Sequence, residues 1–208
     1  MSLWGRIFAA MYDRAMDGTE RAGLADQRRE LLAAARGEVL ELGAGTGLNL
    51  SHYGPAVSGL VLTEPEEPMA RRLERRLRAG SRRARVLRIA AESLPFEDSC
   101  FDTVVCTLVL CTVSDRARTL SEVARVLRPG GQLLFLEHVR SERASLAGWQ
   151  DRLAPLWRRV GHGCRCNSNT LALIEASPLT VVRSESGSLP KAIPLIRPTV
   201  VGAAELEG

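Results

Sequence analysis

The sequence predicts a single α/β domain wrapped around a mostly parallel sheet. Strand-like and helix-like stretches alternate from about residue 38 to 136, the rhythm of right-handed βαβ units. The strand-like stretches are apolar throughout, as strands are when both faces of a sheet are covered. One of them, Val39-Leu40-Glu41-Leu42, runs into Gly43-Ala44-Gly45-Thr46-Gly47. A buried strand that empties into closely spaced glycines is the form of a nucleotide-binding turn, because a missing Cβ lets the backbone approach a ligand.

The elements follow in order. Residues 3–16 read as an amphipathic helix, with Leu3, Trp4, Ile7, Phe8, Met11, Tyr12 and Ala15 on one stripe. A second helix is expected from Leu24 to Ala35, stopping near Gly37. Strands are expected at Glu38–Leu42, Gly59–Thr63, Arg85–Ile89, Phe101–Thr107 and Gln132–Leu136. Helices are expected directly after the glycine loop, at Glu67–Ala79 and at Asp115–Leu127. Arg128-Pro129-Gly130-Gly131 is read as the turn that opens the fifth strand. Residues 142–162 are read as helical but broken near Pro155, followed by a polar Gly/Cys loop and a short helix at Asn169–Ala176. Leu179–Arg183 and Ile196–Ala203 are expected to close the sheet as an antiparallel pair. The whole of 1–208 is expected to form one domain, with 1–36 as N-terminal lid helices and 142–176 as a helical insert at the acceptor site.

Composition narrows the function. The chain is 45% hydrophobic and 25% charged, ordinary for a globular domain. No apolar run reaches bilayer-spanning length and no signal peptide opens the chain, so a cytoplasmic protein is expected, with peripheral membrane contact through residues 3–16 left open. Five cysteines, an odd number, argue for free thiols rather than a disulfide framework. The net charge is +4, and the densest basic run, Arg71 to Arg88, has no interleaved aromatics for base stacking. Its leucines, Leu73 and Leu77, mark a buried side, which leaves the arginines on a solvated face, and no nucleic-acid partner is expected. No metal site is expected either, since Cys164-Arg165-Cys166 with His162 lacks a second ligand pair.

In a parallel sheet the ligand binds beyond the carboxyl ends of the strands. Those ends carry Glu41 and the glycines, then Glu64-Pro65, Ala91-Glu92, Thr107-Leu108 and Glu137-His138. An acidic residue at the second strand's end can accept hydrogen bonds from both hydroxyls of a ribose.

Four segments, ELGAGTG, Glu64, ESLPFEDSCFDTVV and EVARVLRPGGQLLFLEH, together resemble the class I S-adenosyl-L-methionine (SAM) methyltransferases, in particular type 11. The likeness covers about residues 12–140. It implies a Rossmann-like seven-stranded sheet, six strands parallel and one antiparallel near the edge, with helices on both faces and an N-terminal lid helix. It also implies SAM as cofactor and S-adenosyl-L-homocysteine as product. The implied cofactor contacts are Gly43, Ala44, Gly45, Thr46, Gly47 and Asn49 around the methionine moiety and Glu41 near its amino group. They continue with Tyr12 near its carboxylate, Glu64 and Pro65 at the ribose, Met69, Ala91 and Glu92 at the adenine, and Thr107 and Leu108 at the sulfonium end. Ala90-Ala91 departs from the family, which often carries an aspartate there for the adenine amine.

A nearer resemblance is to the small membrane-associated thiol S-methyltransferases of animals and their bacterial relatives. Val105–Val113, EVARVLRPGG, LEHV, and the Trp149-Gln150 … Pro155 … Trp157 … Gly163-Cys164 pattern carry it. A small, hydrophobic acceptor, best a thiol, is therefore expected. Its pocket is expected from Trp4, Phe8, Cys111, His138, Trp149 and Trp157, with His138 as the candidate base. The alternatives are N-methylation of a phospholipid amine, O-methylation of a small natural product, a basic RNA-binding scaffold, and an NAD-linked oxidoreductase. The G-x-G-x-G spacing speaks against the last.

Overall fold

The computed structural model describes residues 3–207, with side chains from Gly5 onward. Seven strands form one sheet in the order β3-β2-β1-β4-β5-β7-β6: β1 Gly37–Leu42, β2 Val57–Thr63, β3 Arg85–Leu87, β4 Phe101–Thr107, β5 Leu127–His138, β6 Leu179–Ser188 and β7 Pro198–Leu206. The first five are mutually parallel. β7 runs antiparallel to β5, and β6 antiparallel to β7, so six strands share a direction and the reversed one lies second from the edge. The strand order reverses between β1 and β4, which opens the crevice at their carboxyl ends.

Alternate residues of the central strands feed two cores. Leu40, Leu42, Val104, Cys106, Leu133 and Phe135 pack toward α4 (Arg116–Val126) and α6 (Thr170–Glu175). Val39, Leu62, Val105, Leu134 and Leu136 pack toward α2 (Ala25–Leu32) and α3 (Glu67–Ala79). Most of these side chains are fully buried, each contributing about 1.5–3 kcal/mol of transfer free energy. The remaining helices are α1 (Leu3–Thr19) and α5 (Ala144–Val160).

Five departures from the sequence reading have local causes. No helix follows the glycine loop. Gly43, Gly45 and Gly47 all take positive φ, and single turns follow, Gly47 to Ala44, Leu50 to Gly47 and His52 to Asn49, so no helical ladder starts. α1 runs on to Thr19, and Gly23 at φ 135° sets a kinked turn between it and α2. β3 stops at Leu87, at the sheet edge. β5 begins at Leu127 rather than Gln132: Leu127 pairs Phe101, the chain bulges through Gly130 (φ 73°), and pairing resumes at Gln132 opposite Thr103. Pro155 does not break α5. Pro155 and Asp151 are both exposed, so the Asp151 carbonyl that loses its N–H partner stays within reach of water.

Candidate active site

The crevice between β1 and β4 holds a buried polar network. Glu41, at the end of β1, is 2% exposed. It accepts hydrogen bonds from Asn49 Nδ2 (2.8 Å) and Tyr53 Oη (2.7 Å). Burial pushes its carboxyl up, against the pull of those two donors and of the Arg28 charge. Arg28, on α2, is 3% exposed. Its Nη1 donates to Asn49 Oδ1 (2.8 Å) and Thr107 Oγ1 (3.1 Å), and its Nε to Glu20 (3.0 Å). Asn49 Nδ2 also reaches Thr107 Oγ1 (2.9 Å). The buried guanidinium is thus paired with the Glu20 carboxylate and bonded to two neutral side-chain oxygens, the condition under which a buried charge is tolerable. The sequence reading passed over Arg28. Its signal was an arginine on the apolar stripe Leu24, Arg28, Leu31, Leu32.

The glycines do different jobs. A Cβ on Gly43 would stand 2.8 Å from Val109, and one on Gly47 would stand 2.7 Å from Leu73. On Gly45 it would meet nothing nearer than the Gly43 carbonyl at 3.9 Å. The bare face of Gly45 therefore opens to the crevice, while its neighbours are bare to let the protein pack. Glu64 stands beside it, 6% exposed. Its carboxylate accepts from Gly45 N (2.8 Å) and Glu66 N (2.9 Å). Burial pushes this carboxyl up to about 7, against those two donors and with the Glu66 and Glu41 charges adding.

α1 lies across the loop. Thr46 Oγ1 donates to Asp13 Oδ1 (2.6 Å), and Arg76 donates to Asp13 Oδ2 (3.3 Å). Tyr12 turns into the crevice, where burial raises its phenol to about 12. Tyr12, Arg28, Glu41, Gly43, Ala44, Gly45, Thr46, Asn49 and Thr107 line one cleft together with Leu48.

Other expected cofactor residues fall elsewhere. Gly47 is packed behind the loop, and Pro65 is exposed. Met69 is buried at the start of α3, and Ala91 packs into the α4-side core. The Glu92 carboxylate is turned to the start of α4, accepting from Ser114 N (2.7 Å). Leu108, at φ 61°, donates its N–H to the Leu136 carbonyl (2.7 Å).

The ends of β4 and β5 make the other half. Glu137 is wholly buried. It accepts from the backbone N–H groups of Val109 (2.8 Å), Leu110 (2.9 Å) and Cys111 (3.2 Å). Burial pushes it up to about 7 despite those donors. One side chain thus sets the loop that follows Thr107. His138 is 6% exposed, its Nδ1 has no partner, and burial pushes the imidazole down to about 4. Cys111 is buried with its sulfur 3.8 Å from that of Cys164, so it packs against the 161–168 loop. Phe8 stacks on His162 at 4.8 Å, and His162 Nε2 stands 3.7 Å from Glu66. That joins α1 to the loop after α5. Trp157 is half-buried, with its indole turned to the Cys164 thiol. Trp149, expected in the acceptor pocket, is 57% exposed on the outer side of α5. The side chain of Trp4 lies outside the described residues.

A methyltransferase-domain family matches residues 40–135, the stretch from β1 to β5. The chain is 30% identical to human thiol S-methyltransferase TMT1A over 202 residues, 95% of this chain and 82% of that protein. The chain belongs to the SAM-dependent methyltransferases. This methyltransferase is also 36% identical to rat thiol S-methyltransferase TMT1B over 152 residues, spanning 62% of the rat protein's length. It is 35% identical to a phosphatidylethanolamine N-methyltransferase of Cereibacter sphaeroides over 129 residues, 62% of this chain and 64% of that one. A Thermotoga maritima SAM-dependent methyltransferase, described as a possible histamine N-methyltransferase, superposes at TM-score 0.71 across 98% of both chains. At 20% identity that likeness shows the fold. The cofactor is SAM, and the open face of Gly45 beside the Glu64 carboxylate suits a ligand that needs close backbone approach and an acceptor for hydroxyls.

Proposed function

We propose that this methyltransferase methylates the sulfur of a small lipophilic thiol. The observation that carries the reading is the state of His138, the one candidate base among the strand-end residues. Its imidazole, held near 4 by burial, is neutral at physiological pH. Taking a proton from a thiol of pKa about 8.5 would cost it about 6 kcal/mol. Glu137 is committed to three backbone N–H groups. The acceptor must then arrive largely able to ionise by itself. A thiol keeps a small but strongly nucleophilic thiolate fraction at neutral pH, whereas an alkylamine of pKa about 10 is held protonated and far less reactive. The names of the TMT1A and TMT1B relatives point the same way.

SAM supplies a methyl group on a sulfonium sulfur, already activated for displacement. The protein's work is to hold and align. Each Glu64 oxygen accepts one backbone N–H and keeps lone pairs for the ribose hydroxyls. Gly43 to Thr46, Asn49 and Glu41 take the methionine moiety, with Tyr12 and Arg28 at its carboxylate, while Gly47 lets the loop pack behind them. Met69, Ala91 and Pro65 stand on the adenosine side, and Thr107 and Leu108 toward the sulfonium. Glu92 acts on the site through the start of α4. His138 offers Nδ1 as a hydrogen-bond acceptor that orients the acceptor, and Glu137 fixes the loop that bounds it.

A second reading, N-methylation of a phospholipid amine, has the Cereibacter relative in its favour. Purified protein with SAM and matched alkyl thiols, amines and phenols separates the two. Mass spectrometry should find the thioether, with a rate that climbs with pH toward the thiol's own ionisation. Preferential methylation of the amine would overturn the thiol reading.

A further inference from the structure

We infer that the outer face of α5 is a docking surface for an anionic phospholipid membrane. The helix does not pack on the domain through its apolar stripe. Its buried residues are Ala147 and Gln150. Gln150 makes the attachment: Oε1 accepts from Ser141 N (2.7 Å), and Nε2 reaches the carbonyls of Cys166 (2.8 Å) and Leu195 (2.9 Å). The stripe faces the other way. Trp149, Leu153, Leu156 and Val160 follow the i, i+4, i+7, i+11 spacing of one helix face, and they are 57%, 36%, 60% and 49% exposed.

Charge decides the occupant. Arg152 and Arg159, seven residues apart, run along one flank of the stripe. Neither makes an ion pair among the described residues. Asp151, the only acid on α5, is held by Arg140 at 2.9 Å. An apolar ridge with free guanidiniums beside it and an exposed tryptophan is the chemistry of a helix lying in an anionic lipid interface. A second copy of the chain is the poorer fit, because a two-fold contact through this stripe would bring the same unpaired arginines together. The placement is also continuous with the lid. α5 ends at Val160, and two residues later His162 stacks on Phe8 of α1, whose Ile7 and Met11 are 40% and 60% exposed. A membrane at α5 would therefore lie beside α1 and its exposed Ile7 and Met11. The inference holds for thiol and amine acceptors alike.

Flotation of the full chain with vesicles tests it, comparing phosphatidylcholine alone with phosphatidylcholine plus phosphatidylglycerol. The wild type should float with the anionic vesicles and release in high salt. The pair Leu156→Ser and Val160→Ser should weaken binding at least tenfold. The pair Arg152→Gln and Arg159→Gln should abolish the preference for anionic lipid. Both double variants should bind S-adenosylhomocysteine as the wild type does, which shows that they fold. Three results would overturn the inference: no flotation of the wild type, flotation indifferent to the α5 variants but lost in Ile7→Ser with Met11→Ser, or a dimer in solution that the α5 variants dissolve.

Discussion

The β1 side of the crevice and the β5 side, proposed to hold the cofactor and the acceptor, differ in how completely they satisfy their buried polar side chains. Around β1, Arg28, Glu41 and Asn49 are all nearly inaccessible, and their side-chain hydrogen bonds are made within the protein. At the end of β5, His138 Nδ1 is buried without a hydrogen-bond partner. Buried polar groups are ordinarily satisfied, and the exceptions ask for a reason. A cofactor that is the same in every turnover can be met by a network locked in advance. The small lipophilic acceptor proposed above would be met by a site that leaves a polar atom such as His138 Nδ1 open to it.

The largest effect should come from breaking the locked side. Arg28→Met leaves Glu20 and Asn49 Oδ1 without their donor, and losing one partner of a buried charge network costs about 3–5 kcal/mol. Urea unfolding should show that loss, and a loss under 1 kcal/mol would mean the network is not locked. The glycines sharpen the contrast inside the same loop. Gly43→Ala and Gly45→Ala share the strain of a positive φ, about 1–2 kcal/mol. Only Gly43→Ala also drives a methyl into Val109, for a further ~1–3 kcal/mol. Gly43→Ala should therefore be the less stable protein, and Gly45→Ala the one that loses more S-adenosylhomocysteine affinity relative to its stability. Equal affinities in the two would deny Gly45 its special face.

What the sequence revealed divides along the same line. β4 and α3 were read to the residue because apolar runs bounded by turn residues report backbone periodicity directly. The glycine loop was legible as a loop, but the helix expected after it was not formed, since three left-handed glycines spend the turns a helix would need. Arg28 stands in plain sight on an apolar stripe, yet a charged residue there reads as an interruption until its partners Glu20, Asn49 and Thr107, from three separate segments, are known. Glu137 hides for another reason: its partners are backbone N–H groups of a distant loop, and backbone leaves no residue type to notice. α5 misled most, because periodicity finds a helix's apolar face without saying whether that face turns inward.

Glu64 offers a pH handle on the cofactor half. With its carboxyl raised to about 7, the free protein holds a proton there that the proposed ribose contact would displace. Affinity for S-adenosylhomocysteine should rise as pH goes from 6 to 8 and level off above. The sign reverses for the fold. A carboxyl raised from 4.5 to about 7 favours the folded state below pH 4.5, and that advantage is lost as pH climbs through 7. Glu64→Gln should bind about tenfold more weakly or worse, as expected when a charged hydrogen bond is lost, and calorimetry should find its affinity flat over the same range. A variant that keeps the wild-type slope would assign the proton to another group.

The smallest effect is expected at His138, and its smallness is informative. A true general base contributes about 10²–10⁴ in rate. An imidazole held near 4 that only orients an acceptor should contribute less than about tenfold, the worth of one hydrogen bond. In His138→Ala, kcat/KM for an alkyl thiol should fall by that modest factor. The pH profile of wild type and variant should climb together, without an inflection near 6.5, toward the thiol's own pKa. If the variant instead loses the rising limb, the imidazole is taking the proton. Burial would then have to be relieved when the acceptor enters, and the acceptor half would be as preorganised for chemistry as the cofactor half is for binding.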